Sequence, residues 1–293
     1  MFTATLIAAQ GLSVGDVSAA TDRLAAAGCS PGDRSWIDQG AAIDLRFTGD
    51  PVAARAALEG AVPLVDIVLQ PSANRVKRLL VADMDSTMIT VECIDELADF
   101  AGIKAQVAEV TERAMRGELD FEGALDARVA LLAGLSEDAI DRCLTERVRI
   151  MPGARALVRT MRARGAMAVL VSGGFTRFAE PVAKAIGFDR AIANVLLIEA
   201  GKLTGTVAKP IVGAATKEET LRSVAAERGL ALADTLAVGD GANDLPMVKA
   251  AGLGVAYHAK PVVAAAAAVR IEHGDLTALL YAQGIPRHDW AAE

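Results

Sequence analysis

From residue 77 onward, short aliphatic runs alternate with longer stretches whose apolar positions recur at helical spacing. That alternation predicts β-α-β units around a parallel sheet. Core strands are expected at 78–82, 166–171, 235–238 and 252–256. Residues 192–207 read as a strand pair around Glu199-Ala200-Gly201-Lys202, and 275–283 as a final helix. The stretch 94–149 breaks the alternation, because it is helical in pattern and offers no core strand. Inserted directly after the first strand, it would overhang that strand's carboxyl end, so a helical cap is expected.

The first seventy residues have a different rhythm. Strands are predicted at 2–8, 34–39, 42–47 and 65–69, and helices at 14–27 and 51–59. Cys29-Ser30-Pro31-Gly32 is expected to end the first helix. This βαββαβ order predicts a ferredoxin-like α+β domain. Three parts are therefore expected: an N-terminal domain (1–73), an α/β core (77–92 and 150–293) and the helical cap (93–149).

Apolar residues make up 53% of the 293 and aromatics only 4%, so the core must be aliphatic and helix-rich. A net charge of −7 argues against nucleic-acid or membrane-surface binding. Any phosphorylated ligand must then be drawn by local cations and backbone N–H groups. Three scattered cysteines without a Cys-x-x-Cys, a start without a basic signal region and the lack of a long uncharged apolar run predict a cytoplasmic protein.

The chemistry concentrates at strand ends. Asp83-Met84-Asp85-Ser86-Thr87 follows the first run, and Gly239-Asp240-Gly241-Ala242-Asn243-Asp244 follows 235–238. Ligands of open parallel sheets bind beyond the carboxyl ends of the strands, so these acids can converge. Asp83 and Asp240 offer hard oxygens suited to Mg²⁺. Asp83 suits a nucleophile, and Asp85 a general acid, if their surroundings hold different protonation states. Ser172-Gly173-Gly174 allows close backbone approach to an anion. Lys217 stands at a helix start, where the dipole disfavours a cation; such a misfit points to a role in neutralising phosphoryl charge.

These residues, in this order, resemble the four motifs of the haloacid dehalogenase superfamily over about residues 77–285, and more closely its phosphoserine phosphatase family. The resemblance implies a Rossmann-like core and an aspartyl-phosphate formed on Asp83, with Asp85 as acid and base. It implies Mg²⁺ on Asp83, Asp240 and the Asp85 backbone carbonyl, with Asp244 in support. Ser172, Gly173, Lys217 and Asn243 would contact phosphate or substrate. Glu92 and Arg128 fall where that family binds the ammonium and carboxylate of phosphoserine, its small-molecule substrate. The N-terminal part resembles ACT-like extensions, which suggests a homodimer through that domain.

Each signal has a plainer reading. A lone Asp-x-Asp is often a turn, Ser172-Gly173-Gly174 a tight turn and Lys217 a solvated charge. Glu92 and Arg128 could form a salt bridge within the cap. Cys93 reads as a small buried hydrophobe, and His258, His273 and His288 as structural or surface residues. The motifs leave open phosphoryl transfer to a small alcohol such as homoserine, another phosphate ester as substrate, and an amino-acid-sensing module with a decayed catalytic domain. No Walker A or complete Gly-x-Gly-x-x-Gly occurs.

Overall fold

The computed structural model describes residues 1–292. Its first part runs β1 (Phe2–Ala8), α1 (Val14–Ala26), β2 (Ser30–Asp38), β3 (Ala42–Thr48), α2 (Pro51–Leu58) and β4 (Val65–Pro71). The strands form an antiparallel sheet in the order β2-β3-β1-β4, the ferredoxin-like arrangement. Ser13 and Asp16 form a reciprocal capping box at the start of α1. Asp50 caps α2, whose first residue is Pro51.

One expectation fails here. Ser30-Pro31-Gly32 does not end α1; it begins β2. Gly28, at φ +78°, makes the turn instead, and its N–H bonds to the Ala25 carbonyl. A proline is tolerated because β2 is an edge strand whose pairing shifts between Pro31 and Arg34.

The remainder runs β5 (Leu79–Ala82), α3 (Cys93–Phe100), α4 (Lys104–Met115), α5 (Phe121–Ala130), α6 (Asp138–Glu146), α7 (Ala154–Ala163), β6 (Met167–Phe175), α8 (Thr176–Ile186) and β7 (Arg190–Asn194). It continues through β8 (Leu196–Glu199), β9 (Lys202–Val207), α9 (Ala214–Glu227), β10 (Thr235–Gly239), α10 (Leu245–Ala250), β11 (Leu253–Tyr257), α11 (Pro261–Ala266), β12 (Val269–Ile271) and α12 (Ala278–Ala282). Six strands form a parallel sheet in the order β12-β11-β10-β5-β6-β7. The chain leaves β5 to one side and returns to β10 on the other. The crevice between β5 and β10 is therefore the switch point where open α/β sheets bind ligands. Both sheet faces are covered by aliphatic clusters, as the Val- and Leu-rich strands require.

The strand pair lies at β8 and β9, while Ile192 belongs to β7 of the main sheet. The last helix begins only at Ala278, because the Asp275 carboxylate accepts from the Thr277 N–H (2.8 Å) and holds the preceding turn open.

The two sheets are stitched together by buried polar groups. Asp66 on β4 accepts from the N–H groups of Glu272 (2.8 Å), His273 and Gly274 (2.7 Å). Arg75 donates to Thr5 and Asp44 on one side, and to the carbonyls of Tyr281 and Ala282 on the other.

Candidate active site

Strand β5 is four residues long and wholly buried, and it delivers Asp83 to its carboxyl end. The Asp83 N–H donates to the Val238 carbonyl (3.0 Å), so Asp83 stays in register with β10. Asp240 follows the end of β10, which places these two carboxylates on neighbouring strands. Reactive oxygens of Asp83, Asp240 and Asp244 all lie within 4.8 Å of one another. Hard carboxylate oxygens at that spacing fit Mg²⁺. Asp244 is already engaged: Oδ1 lies 2.6 Å from Lys217 Nζ, and Oδ2 accepts from the Gly241 N–H (3.0 Å). That leaves Asp83 and Asp240 as the freer oxygen donors. Gly239 makes this packing possible, since a Cβ there would lie 2.3 Å from Asp244 Cγ.

Lys217 sits in the first turn of α9 and is completely buried. Its ammonium is 2.7 Å from Asp83 Oδ1 and 2.6 Å from Asp244 Oδ1. Burial alone would lower its pKa; the two carboxylates outweigh burial and hold it above the usual lysine range. The plainer reading of Lys217 as a solvated charge is thereby excluded.

Asp85 has the opposite environment. The residue is half-buried, but its Oδ1 is shielded from water and has no hydrogen-bond partner. Burial, with the charges of Glu92 and Asp83, pushes its carboxyl well above the ordinary range; hydrogen bonding to Cys93 opposes this only in part. Asp83 faces an ammonium while the surroundings of Asp85 favour its protonated form, the contrast an acid and a nucleophile need.

Ser172 lies in β6 where its pairing with β7 shifts, and its Oγ accepts from the Gly174 N–H (2.9 Å). Gly174 permits close approach, because a Cβ there would lie 3.2 Å from Asp85 Oδ2. Asn194, unforeseen from the sequence, accepts from the Val212 N–H and donates to the carbonyls of Gly173 and Val212. It ties the Ser172 loop to the segment that leads into Lys217. The signal was weak because β7, which carries Asn194, is a short strand without a clean apolar run.

A cavity of about 630 Å³ opens over these strand ends. Asp83, Asp85, Ser172, Gly173, Asp240 and Asn243 line it from the sheet side. Glu92 and Arg128 line it from the helical side, together with Phe121, whose ring packs over Gly173 and Gly213. Glu92 accepts from Ser86 Oγ (2.7 Å), and Arg128 Nε donates to the Ala124 carbonyl one turn back. Among the described residues neither forms the ion pair of the plainer reading, so both charges face the cavity. Lys260, also unforeseen, completes the wall. The cavity thus collects every residue assigned a site role from the sequence except Lys217 and Asp244, which stand behind Asp83.

Comparison with known proteins agrees with this geometry. Residues 80–249 match the model of the haloacid dehalogenase-like hydrolase family. A phosphoserine phosphatase of Streptomyces coelicolor is 48% identical over 253 residues, covering 85% of this chain and 62% of its own. One of Albidiferax ferrireducens is 48% identical over 208 residues, covering 69% of this chain and 88% of its own. A solved structure, a probable phosphoserine phosphatase from Vibrio cholerae, superposes with a TM-score of 0.76 at 35% identity, covering 96% of this chain and 88% of that one. The chain thus spans less than two thirds of the Streptomyces relative and most of the other two.

Proposed function

The chain belongs to the phosphoserine phosphatase family of the haloacid dehalogenase-like hydrolases, and on that premise we propose that it hydrolyses O-phospho-L-serine to L-serine and phosphate with Mg²⁺. The observation that carries this reading is the contrast between two carboxyls two residues apart: Asp83 lies 2.7 Å from the Lys217 ammonium, while Asp85 has an oxygen without a partner and surroundings that raise its pKa.

In this reading an Asp83 oxygen attacks phosphorus, the phosphorus–serine oxygen bond breaks, and the Asp85 proton goes to the departing oxygen. Water then attacks the phosphoryl group on Asp83, and Asp85 takes a proton from it. Phosphate leaves and the Asp83 carboxylate is restored. Lys217, the Ser172 hydroxyl and the Gly173 backbone offset charge on the phosphoryl oxygens. Bound Mg²⁺, held by Asp83, Asp240 and the Asp85 carbonyl, would neutralise further phosphate charge. Asp244 keeps Lys217 in place. Glu92 complements the substrate ammonium, Arg128 grips its carboxylate, and Asn243 adds a polar contact.

The same reading divides the chain into an ACT-like unit (1–73), a core (77–92 and 150–293) and a cap (93–149); within these bounds Glu293 lies outside the described residues. It includes a homodimer through the N-terminal unit and a cytoplasmic setting. Among the described residues no helix is long and apolar enough to cross a membrane. Transfer to an alcohol such as homoserine would use the same residues, but the names of the relatives favour water as acceptor. A phosphate-release panel with and without Mg²⁺, led by L-phosphoserine, tests the proposal. Preference for phosphoserine with metal dependence supports it. Preference for a sugar phosphate, or phosphorylation of an alcohol in place of phosphate release, sinks it.

A further inference from the structure

Among the described residues, six carboxylates line the cavity, those of Asp83, Asp85, Glu92, Asp95, Asp120 and Asp240, against two cationic side chains, Arg128 and Lys260. Arg128 comes from α5 on the helical side. Lys260 comes from the loop between β11 and α11, on the sheet side, and is exposed. The lysine ion pairs among the described residues are made by Lys104, Lys209 and Lys217, not by Lys260. Burial raises the pKa of Glu92; the hydrogen bond from Ser86 and, more weakly, the charge of Lys260 oppose that rise.

The backbone that presents Lys260 is held firmly. His258 adopts the left-handed region at φ +43°, uncommon for a side chain of that size. Its N–H donates to the Ile271 carbonyl (2.8 Å), and its ring Nε2 lies 2.9 Å from the Gly274 carbonyl. The Gly274 N–H is in turn held by Asp66. Pro261 begins α11 immediately after Lys260 and restricts the exit. Strain retained at such a turn, beside a cavity, points to use.

We propose that Lys260 is a substrate-attracting cation of this site, which draws the anionic phosphate monoester past the acidic wall and pairs with it. The inference rests on the reading of the substrate as phosphoserine. That molecule carries roughly two net negative charges at neutral pH, from a phosphate near −2, a carboxylate and an ammonium. A chain of net charge −7 repels it at long range. An exposed cation on the cavity wall reverses that field locally, raising the rate of productive encounter more than the rate of chemistry. An exposed charge acting in this way is screened by salt.

The test compares kcat/KM for L-phosphoserine between the parent, Lys260→Ala, Lys260→Glu and Lys260→Arg at low and high ionic strength. At low salt, Lys260→Ala should lose about tenfold, mostly in KM, Lys260→Glu more, and Lys260→Arg no more than about twofold. At about 0.5 M salt, the losses of the Ala and Glu variants should shrink to about threefold or less. Unchanged thermal melting separates these effects from misfolding. A Lys260→Ala enzyme within about twofold of the parent at low salt overturns the proposal, as do equal, salt-independent losses in all three variants. If the parent instead prefers another phosphate ester, the reading of the substrate fails, and the same salt series on that ester still decides the role of Lys260. A parent that cleaves no ester overturns both.

Discussion

The ammonium of Lys217 stands 2.7 Å from Asp83 Oδ1, with the lysine side chain entirely out of water. Two buried carboxylates, Asp83 and Asp244, depend on that one cation. Lys217→Met therefore leaves both unpaired. The expected cost is about 3 kcal/mol of stability, because removing one partner strands buried charge. Urea unfolding measures this. Stability unchanged from the parent would contradict the pairing.

Asp83→Asn removes the attacking oxygen's charge while Lys217 keeps Asp244 as partner. Phosphate release should fall by about a thousandfold or more, with the protein still folded. Mass spectrometry excludes deamidation back to aspartate. Full activity in an intact Asn variant would take the nucleophile role from Asp83.

Arg128→Ala should separate recognition from chemistry. With phosphoserine, kcat/KM is expected to fall by about a hundredfold, as for loss of a charge-assisted bidentate contact. With phosphoethanolamine, which has no carboxylate, the fall should stay within about threefold. Equal losses on the two esters would mean that Arg128 does not read the carboxylate.

Asp240 is pushed up to about 6, first by burial and then by the charges of Asp83 and Glu92. The folded metal-free protein then keeps a proton at pH values where the unfolded chain, near the ordinary 3.8, has released it. Its contribution to stability is present below about pH 4 and lost as pH rises through about 6. A coordinated cation needs the ionised form, so binding must expel that proton. Added Mg²⁺ should raise the melting temperature more at about pH 8 than at about pH 5. An equal rise at both would remove Asp240 from the metal site.

Much of this site was legible because buried parallel strands advertise themselves as aliphatic runs, and the acids sit at their ends. Asp83, Asp85, Ser172 and Asp240 could be placed by that rule alone. Glu92 and Arg128 needed the family resemblance, since charges on helices usually face solvent. The edge strand β12 escaped notice, being only three residues long, and the end of β7 was merged with the strand pair that follows it. Asn194 was hidden by that merger. Lys260 carried no signal at all: its place over the cavity depends on the turn at His258, a tertiary constraint that no local pattern encodes. The Ser30-Pro31-Gly32 error has a similar origin, because turn-forming residues are acceptable on a strand with one free edge.

Asp66 grips three successive backbone amides, and the last of them belongs to the residue whose carbonyl steadies His258. Two hydrogen bonds thus separate the N-terminal sheet from the turn that presents Lys260. Trimming away the first seventy residues would leave that peg hole empty. An engineer seeking a minimal protein from this chain would be loosening a wall of the cavity, even with every strand-end acid untouched.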